Sequence, residues 1–154
     1  MSWFDSIAGR FTPKGRKRAQ FHAYGSGLMR RAGLPAPKCT DSSVMVELDL
    51  PQVGRAQVLA LSFWPFVDLL VAPGLEYTLD RVPRLVCPYL LHRNHQTSTG
   101  AWRGVFSKRA CSIAFGQVVN STHSSVEQAA WTLGVMLKEV QATVPQLRRG
   151  VHSF

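Results

Sequence analysis

SSVEQAAWTLGVMLKEVQATV, residues 124–144, is the stretch whose reading decides the fold. Within it Val126, Ala130, Leu133, Leu137, Val140 and Val144 recur at steps of four and three, which places them on one face of an α-helix. Ser124 with Glu127 three places on gives a capping box, and Pro145 marks the expected stop. A long helix with one apolar stripe needs a surface to lie on, and the sequence before it supplies strands.

Val44, Val46, Leu48 and Leu50 alternate with Met45, Glu47 and Asp49, the period of a half-buried strand with an acidic outer face. A turn at 51–54 leads to 56–64, apolar enough for a central strand, and 66–72 continues as a third after Pro65. Together the three predict an antiparallel meander, with Asp68 on the solvent face. Upstream, Phe21, Tyr24, Gly25, Leu28, Met29 and Ala32 predict a helix over 16–32, stopped by Gly33 and Pro35; Arg30 and Arg31 in its last turn complement the helix dipole. A loop over 35–43 follows. Downstream, Val82, Leu85, Val86, Tyr89 and Leu90 keep helical spacing over 80–92, with Asp80 as candidate N-cap and Pro88 expected to kink or end the helix. A polar loop at 94–99 precedes two strands, 101–106 and 110–119, before the last helix. The expected class is α+β: an antiparallel sheet of about five strands against helices, in the order α-β-β-β-α-β-β-α. The expected division is an arm over 1–15 and one domain over 16–154.

A chain of 154 residues with 45% hydrophobic content suffices for one domain with a sizeable core. Three widely spaced cysteines, Cys39, Cys87 and Cys111, suit neither a disulfide framework nor a paired-thiol zinc site. No apolar run of about 18 residues is present to span a bilayer, and the first residues lack a secretory signal's apolar core. The expectation is a cytoplasmic protein. The net charge of +9 is segmented: 1–38 carries eight basic and one acidic side chain, 41–80 one and six, and 81–154 nine and two. Basic ends around an acidic middle admit an anionic partner without requiring one.

Residues 1–13 place Trp3, Phe4, Ile7, Ala8 and Phe11 at helical spacing before Pro13, and Lys14, Arg16, Lys17 and Arg18 follow. Such an arm docks on its own domain, in a partner's groove or on an anionic membrane. Trp131, Gly134 and Lys138 lie off the main stripe of the last helix, a second face that packs internally or forms half of a subunit interface. Chemistry-bearing candidates are weak. Cys87, His92 and His95 match no zinc spacing, and Cys111 or Ser112 with His123 lack a glycine-framed elbow. No glycine-rich loop joins a strand to a helix to hold phosphate. Phe21, Trp102 and Phe106 are expected in the core, so basic charge alone speaks for nucleic acid.

The element order, Leu90-Leu91 followed by Asn94, Gly100-Ala101-Trp102 opening a hairpin, and a long closing helix after Ser124 together resemble the type III secretion chaperone-like fold, including the YbjN group. The resemblance spans about residues 16–147. It implies a domain without catalysis or cofactor that binds extended segments of other proteins and often forms homodimers. Secretion-type members are typically acidic, and this chain is basic. The functional expectation is therefore a non-enzymatic protein-binding module, with Trp3, Phe4, Ile7, Phe11 and Trp131 as candidate partner contacts. The alternative is binding of nucleic acid or an anionic membrane through Lys14, Arg16, Lys17 and Arg18.

Overall fold

The computed structural model describes residues 14–152. Helix α1 (Arg16–Arg31) leads to a two-residue strand β1 (Lys38–Cys39) and the meander β2 (Ser43–Leu50), β3 (Gly54–Phe63) and β4 (Phe66–Thr78). After one 3₁₀ turn come α2 (Val86–Gln96), β5 (Ala101–Phe106), β6 (Ala110–Asn120) and α3 (Val126–Arg149). The class is α+β, as the patterning predicts. All pairings are antiparallel, and the six-stranded sheet runs β1-β2-β3-β4-β6-β5. The additional strand is β1, two residues inside the expected loop.

The main core lies between one sheet face and the helices. Phe21, Leu28 and Met29 of α1 and Leu133, Met136, Val140 and Val144 of α3 are buried against Val44, Val46, Val58, Val67, Leu69 and Phe115. Gly25 permits the close approach of α1 to β2: a methyl group there would lie 2.9 Å from Val44 Cγ2. That contact explains a residue that otherwise weakens a helix.

Two helix boundaries differ from expectation. Helix α3 is capped by Ser125 rather than Ser124, with Ser125 Oγ accepting from Gln128 N–H at 3.2 Å and Gln128 Oε1 from Ser125 N–H at 2.9 Å. It also continues through Pro145 to Arg149, because Val144 and Leu147 on either side of the proline are both buried. Core burial outweighs the one backbone hydrogen bond that a proline removes. Helix α2 begins at Val86, not Asp80, so Pro88 falls in the first turn, where backbone N–H groups have no intrahelical partner, and neither kinks nor ends it.

The other sheet face carries a second apolar cluster built of strand residues: Leu59, Leu61, Leu70 and Ala114, with Met45, Phe63 and Ala72 against it. Strand β3 is thus apolar on both sides, which is why its sequence does not alternate.

Candidate functional site: the sheet face opposite the described helices

Strand β4 is longer than the sequence suggests because it absorbs a bulge. Its register against β6 shifts between Val71 and Leu75, and Gly74 takes φ +74. Between Val71 and Leu75 the pairing with β6 is interrupted, and the guanidinium of Arg148, from the end of α3, donates to the carbonyls of Val53 and Pro73. The bulge opens a hollow of about 720 Å³. Its floor is Ala72, Ala114 and Val105; Arg55, Gln57, Glu76 and Ser112 stand around it. Pairing registers put Gln57, Ala72, Glu76, Ser112, Ala114 and Val105 on the same sheet face as Leu59 and Leu70. The hollow and the second apolar cluster are therefore continuous.

Asp68 lies on this face and is half-buried. Arg103 reaches it across the intervening strand, with Nη1 2.9 Å from both carboxylate oxygens. The crossing requires a glycine beneath: a methyl group on Gly116 would meet Arg103 Cζ and Leu70 Cδ2, each at 2.7 Å. Burial pushes the Asp68 carboxyl above its ordinary range, against the opposing pull of the Arg103 charge and hydrogen bond. A raised carboxyl in a cleft is one mark of catalysis, but here a fixed guanidinium holds it, and it is a structural pair bordering an apolar surface. Ser112 Oγ donates to Glu76 at 3.2 Å, and no described histidine lines the hollow.

The edge of the sheet beside the hollow is locked from the helix side. Asn94 Oδ1 accepts from Trp102 N–H at 2.6 Å while its Nδ2 donates to Trp102 C=O at 3.1 Å, so one side chain stands in for a neighbouring strand. Glu139 of α3 accepts from Arg93 at 3.1 and 2.6 Å, from Trp102 Nε1 at 3.0 Å and from Thr143 Oγ1 at 2.8 Å. Burial raises its pKa, but those hydrogen bonds and the Arg93 charge win, and the carboxyl is held below the ordinary glutamate range. Gly100, at φ +78, lies where a methyl group would be 2.7 Å from Phe115 Cε1 and 2.8 Å from Gly116 O. Asn94, Gly100 and Trp102 thus form one rigid corner that fixes β5.

Of the candidate partner contacts, Trp131 projects from the outer side of α3 with 68% of its surface exposed, beside open space at Gly134. Trp3, Phe4, Ile7 and Phe11 lie outside the described residues. Lys14, Arg16 and Lys17 are exposed at the start of α1, and Arg18 pairs with Asp41 at 3.2 Å. Trp131 and the basic group are not on the sheet face. Phe21 and Trp102 are buried as expected, but Phe106 is 65% exposed, because it follows Val105 at the end of an edge strand with nothing described to cover it. Among the described residues no three His, Cys, Asp or Glu side chains are grouped to hold a metal ion, and no helix is long and apolar enough to cross a membrane. The hollow itself escaped sequence reasoning; its only signal was the Pro73-Gly74 pair inside an apolar strand.

No protein-family model, curated protein or solved structure matches the chain.

Proposed function

We propose that this protein is a non-enzymatic protein-binding module that takes an extended segment of a partner protein in the hollow on the sheet face opposite the described helices. The observation that carries this reading is the hollow of about 720 Å³, apolar in its floor and charged at its rim. Its size suits several buried side chains, and an apolar centre with a polar rim is the usual anatomy of a protein interface. Charged and polar side chains stand around it, Arg55 in an ion pair with Glu47 at 2.8 Å and Glu76 accepting from Ser112, a polar rim that can help orient a bound chain. Leaving aside the two-residue β1, the element order α-β-β-β-α-β-β-α also supports kinship with type III secretion chaperone-like proteins of the YbjN group, and with it a homodimer. The exposed Trp131 is the subunit contact we assign to that dimer.

The test is selection of binding peptides from a displayed library, followed by titration against Ala72→Arg, which fills the hollow. A loss of at least tenfold in affinity is expected, with Trp131→Ala unchanged. Equal binding to Ala72→Arg and wild type overturns the reading.

A second reading has its own observation. Helix α1 opens without a side-chain cap and with Arg16 and Lys17 in its first turn, where the dipole disfavours cations. An anion bound there, on nucleic acid or a membrane surface, relieves both the charge and the uncapped N–H groups. Retention on RNA, DNA or anionic vesicles that falls steeply with salt supports it; no retention at low ionic strength removes it.

A further inference from the structure

Strand β5 closes one side of the sheet, and β6 is its sole strand neighbour among the described residues. Ser107 N–H donates to Ala110 C=O at 2.8 Å in the β5–β6 hairpin, so the odd-numbered residues of β5 turn their backbone groups to β6 and the even-numbered ones turn theirs outward. At Trp102 the outward N–H and C=O are both taken by Asn94. The next outward residues are Gly104 and Phe106. Both are exposed, and among the described residues nothing bonds their N–H or C=O groups. They face outward at the spacing with which a further strand pairs.

Helix α2 walls this edge. Asn94 fixes it beside Trp102, and Leu91 and Cys87, one and two helical turns earlier, lie on the same side of the helix. The Cys87 end reaches the Phe106 end of β5: burial, and after it the neighbouring Cys87, pushes the Cys111 thiol up, and Cys111 pairs with Phe106. Leu91 is 63% exposed, and the ring of Phe106 lies back over Gly104, 3.2 Å from where a methyl group would be. On the opposite side of the same strand Val105 lines the hollow. A strand laid along β5 therefore turns alternate side chains toward Leu91 and Phe106, and the intervening ones past Val105 toward the hollow. The charge of the occupant follows from the hairpin end. Arg109 C=O accepts from Leu79 N–H at 3.1 Å, which brings the 79–81 turn beside Lys108 and Arg109. Arg81, Arg84, Lys108 and Arg109 are exposed there, and none is in an ion pair among the described residues. The nearby carboxylates are Asp80 and, on the hollow side, Glu76, which already accepts from Ser112.

We propose that the partner segment binds as an added strand along Gly104–Phe106, between the β5 edge and α2, and that it is an acidic segment, its carboxylates facing the cations at the β5–β6 turn. This rests on the protein-binding function proposed above and adds to it the course of the bound backbone and the charge of the partner. Main-chain hydrogen bonds to Gly104 and Phe106 supply affinity, and the Leu91–Phe106 wall and the hollow select side chains at alternate positions.

The experiment measures amide hydrogen exchange by NMR on the full-length wild-type protein, alone and with the tightest-binding peptide from a displayed random library, and titrates that peptide N-methylated at each residue in turn. Gly104 and Phe106 N–H are expected to exchange freely in the protein alone and about tenfold or more slowly in the complex. N-methylation is expected to weaken binding about tenfold at every second peptide residue and little at those between, because only alternate N–H groups of an added strand face β5. The selected peptides are expected to be rich in Asp and Glu and to bind about tenfold more weakly to the Lys108→Glu, Arg109→Glu double variant. Gly104 and Phe106 amides already protected without peptide, whether by the chain itself or, in a concentration-dependent way, by a second copy, overturn the proposal. So do N-methyl effects without alternation, and selected peptides that lack acidic residues or are indifferent to the double variant. A peptide that loses affinity for Ala72→Arg yet leaves Gly104 and Phe106 unprotected removes the added strand and leaves the protein-binding reading standing; a library that yields no binder removes both.

Discussion

Replacing Glu139 by alanine removes one carboxylate that three elements share. Its oxygens accept from Arg93 on α2, Trp102 on β5 and Thr143 on α3 itself, and the side chain is almost wholly buried. Breaking one partner of a buried ion pair costs about 3–5 kcal/mol, because the surviving charge loses its partner without regaining water. Arg93 is partly exposed and can rehydrate, which argues for the lower end, while Trp102 Nε1 is left with an unmade hydrogen bond worth roughly 1 kcal/mol or more. The expected destabilisation is about 3 kcal/mol, a fall in Tm of roughly 6–12 °C for a chain of this size. Thermal unfolding by calorimetry at pH 7 measures it. Glu139→Gln adds a test of sign. The folded-state pKa of Glu139 is depressed, so its charge stabilises the fold above the unfolded glutamate pKa, and that advantage disappears as pH falls through the lower folded value. The gap between wild type and Glu139→Gln must therefore be full at neutral pH and close in acid. A Glu139→Ala protein within 0.5 kcal/mol of wild type at pH 7, or a gap that widens in acid, refutes the reasoning.

Arg103→Leu leaves Asp68 on the sheet face without its cation and is expected to cost about 2–3 kcal/mol, whereas Asp68→Leu with Arg103→Leu is expected within 1 kcal/mol of wild type; urea denaturation of both compares them. Because burial already raises the Asp68 pKa, the Arg103→Leu defect must grow as pH rises through the carboxyl's titration and shrink in acid. Gly100→Ala combines a left-handed backbone with a clash against the Gly116 carbonyl, so a loss of about 2–4 kcal/mol is expected in the same assay, with no rescue by enlarging neighbours. Trp131→Ala, at an exposed helix position, is expected to leave Tm within 2 °C of wild type, and light scattering on wild type and variant tests the proposed homodimer: it predicts a dimer that the variant loses.

The sheet and three helices were legible because their signals are periodic and local. Alternation from Val44 to Leu50 set β2, and the four-and-three spacing from Val126 to Val144 set the buried stripe of α3. What misled were single residues whose effect depends on packing. Pro145 is a stop by local rules, but two buried neighbours carry the helix past it, and Pro88 belongs to a first turn whose start the sequence does not mark. The site was less visible. A bulge emerges only when β4 is paired with β6, and the Glu139 cluster joins residues from positions 93, 102, 139 and 143, which no spacing connects. Trp131 stood out as a lone aromatic off the stripe, and it is the sequence-chosen partner contact whose exposure the described residues show.

The proposal that the sheet face opposite the described helices is the binding surface is tested most directly by amide chemical-shift mapping of ¹⁵N-labelled full-length protein with a library-selected peptide. The account predicts saturable shifts clustered at 55–57, 72–76, 103–106 and 112–114, and their loss in Ala72→Arg. Shifts confined to the outer side of α3 or to the start of α1, or a pattern that survives Ala72→Arg unchanged, contradict it.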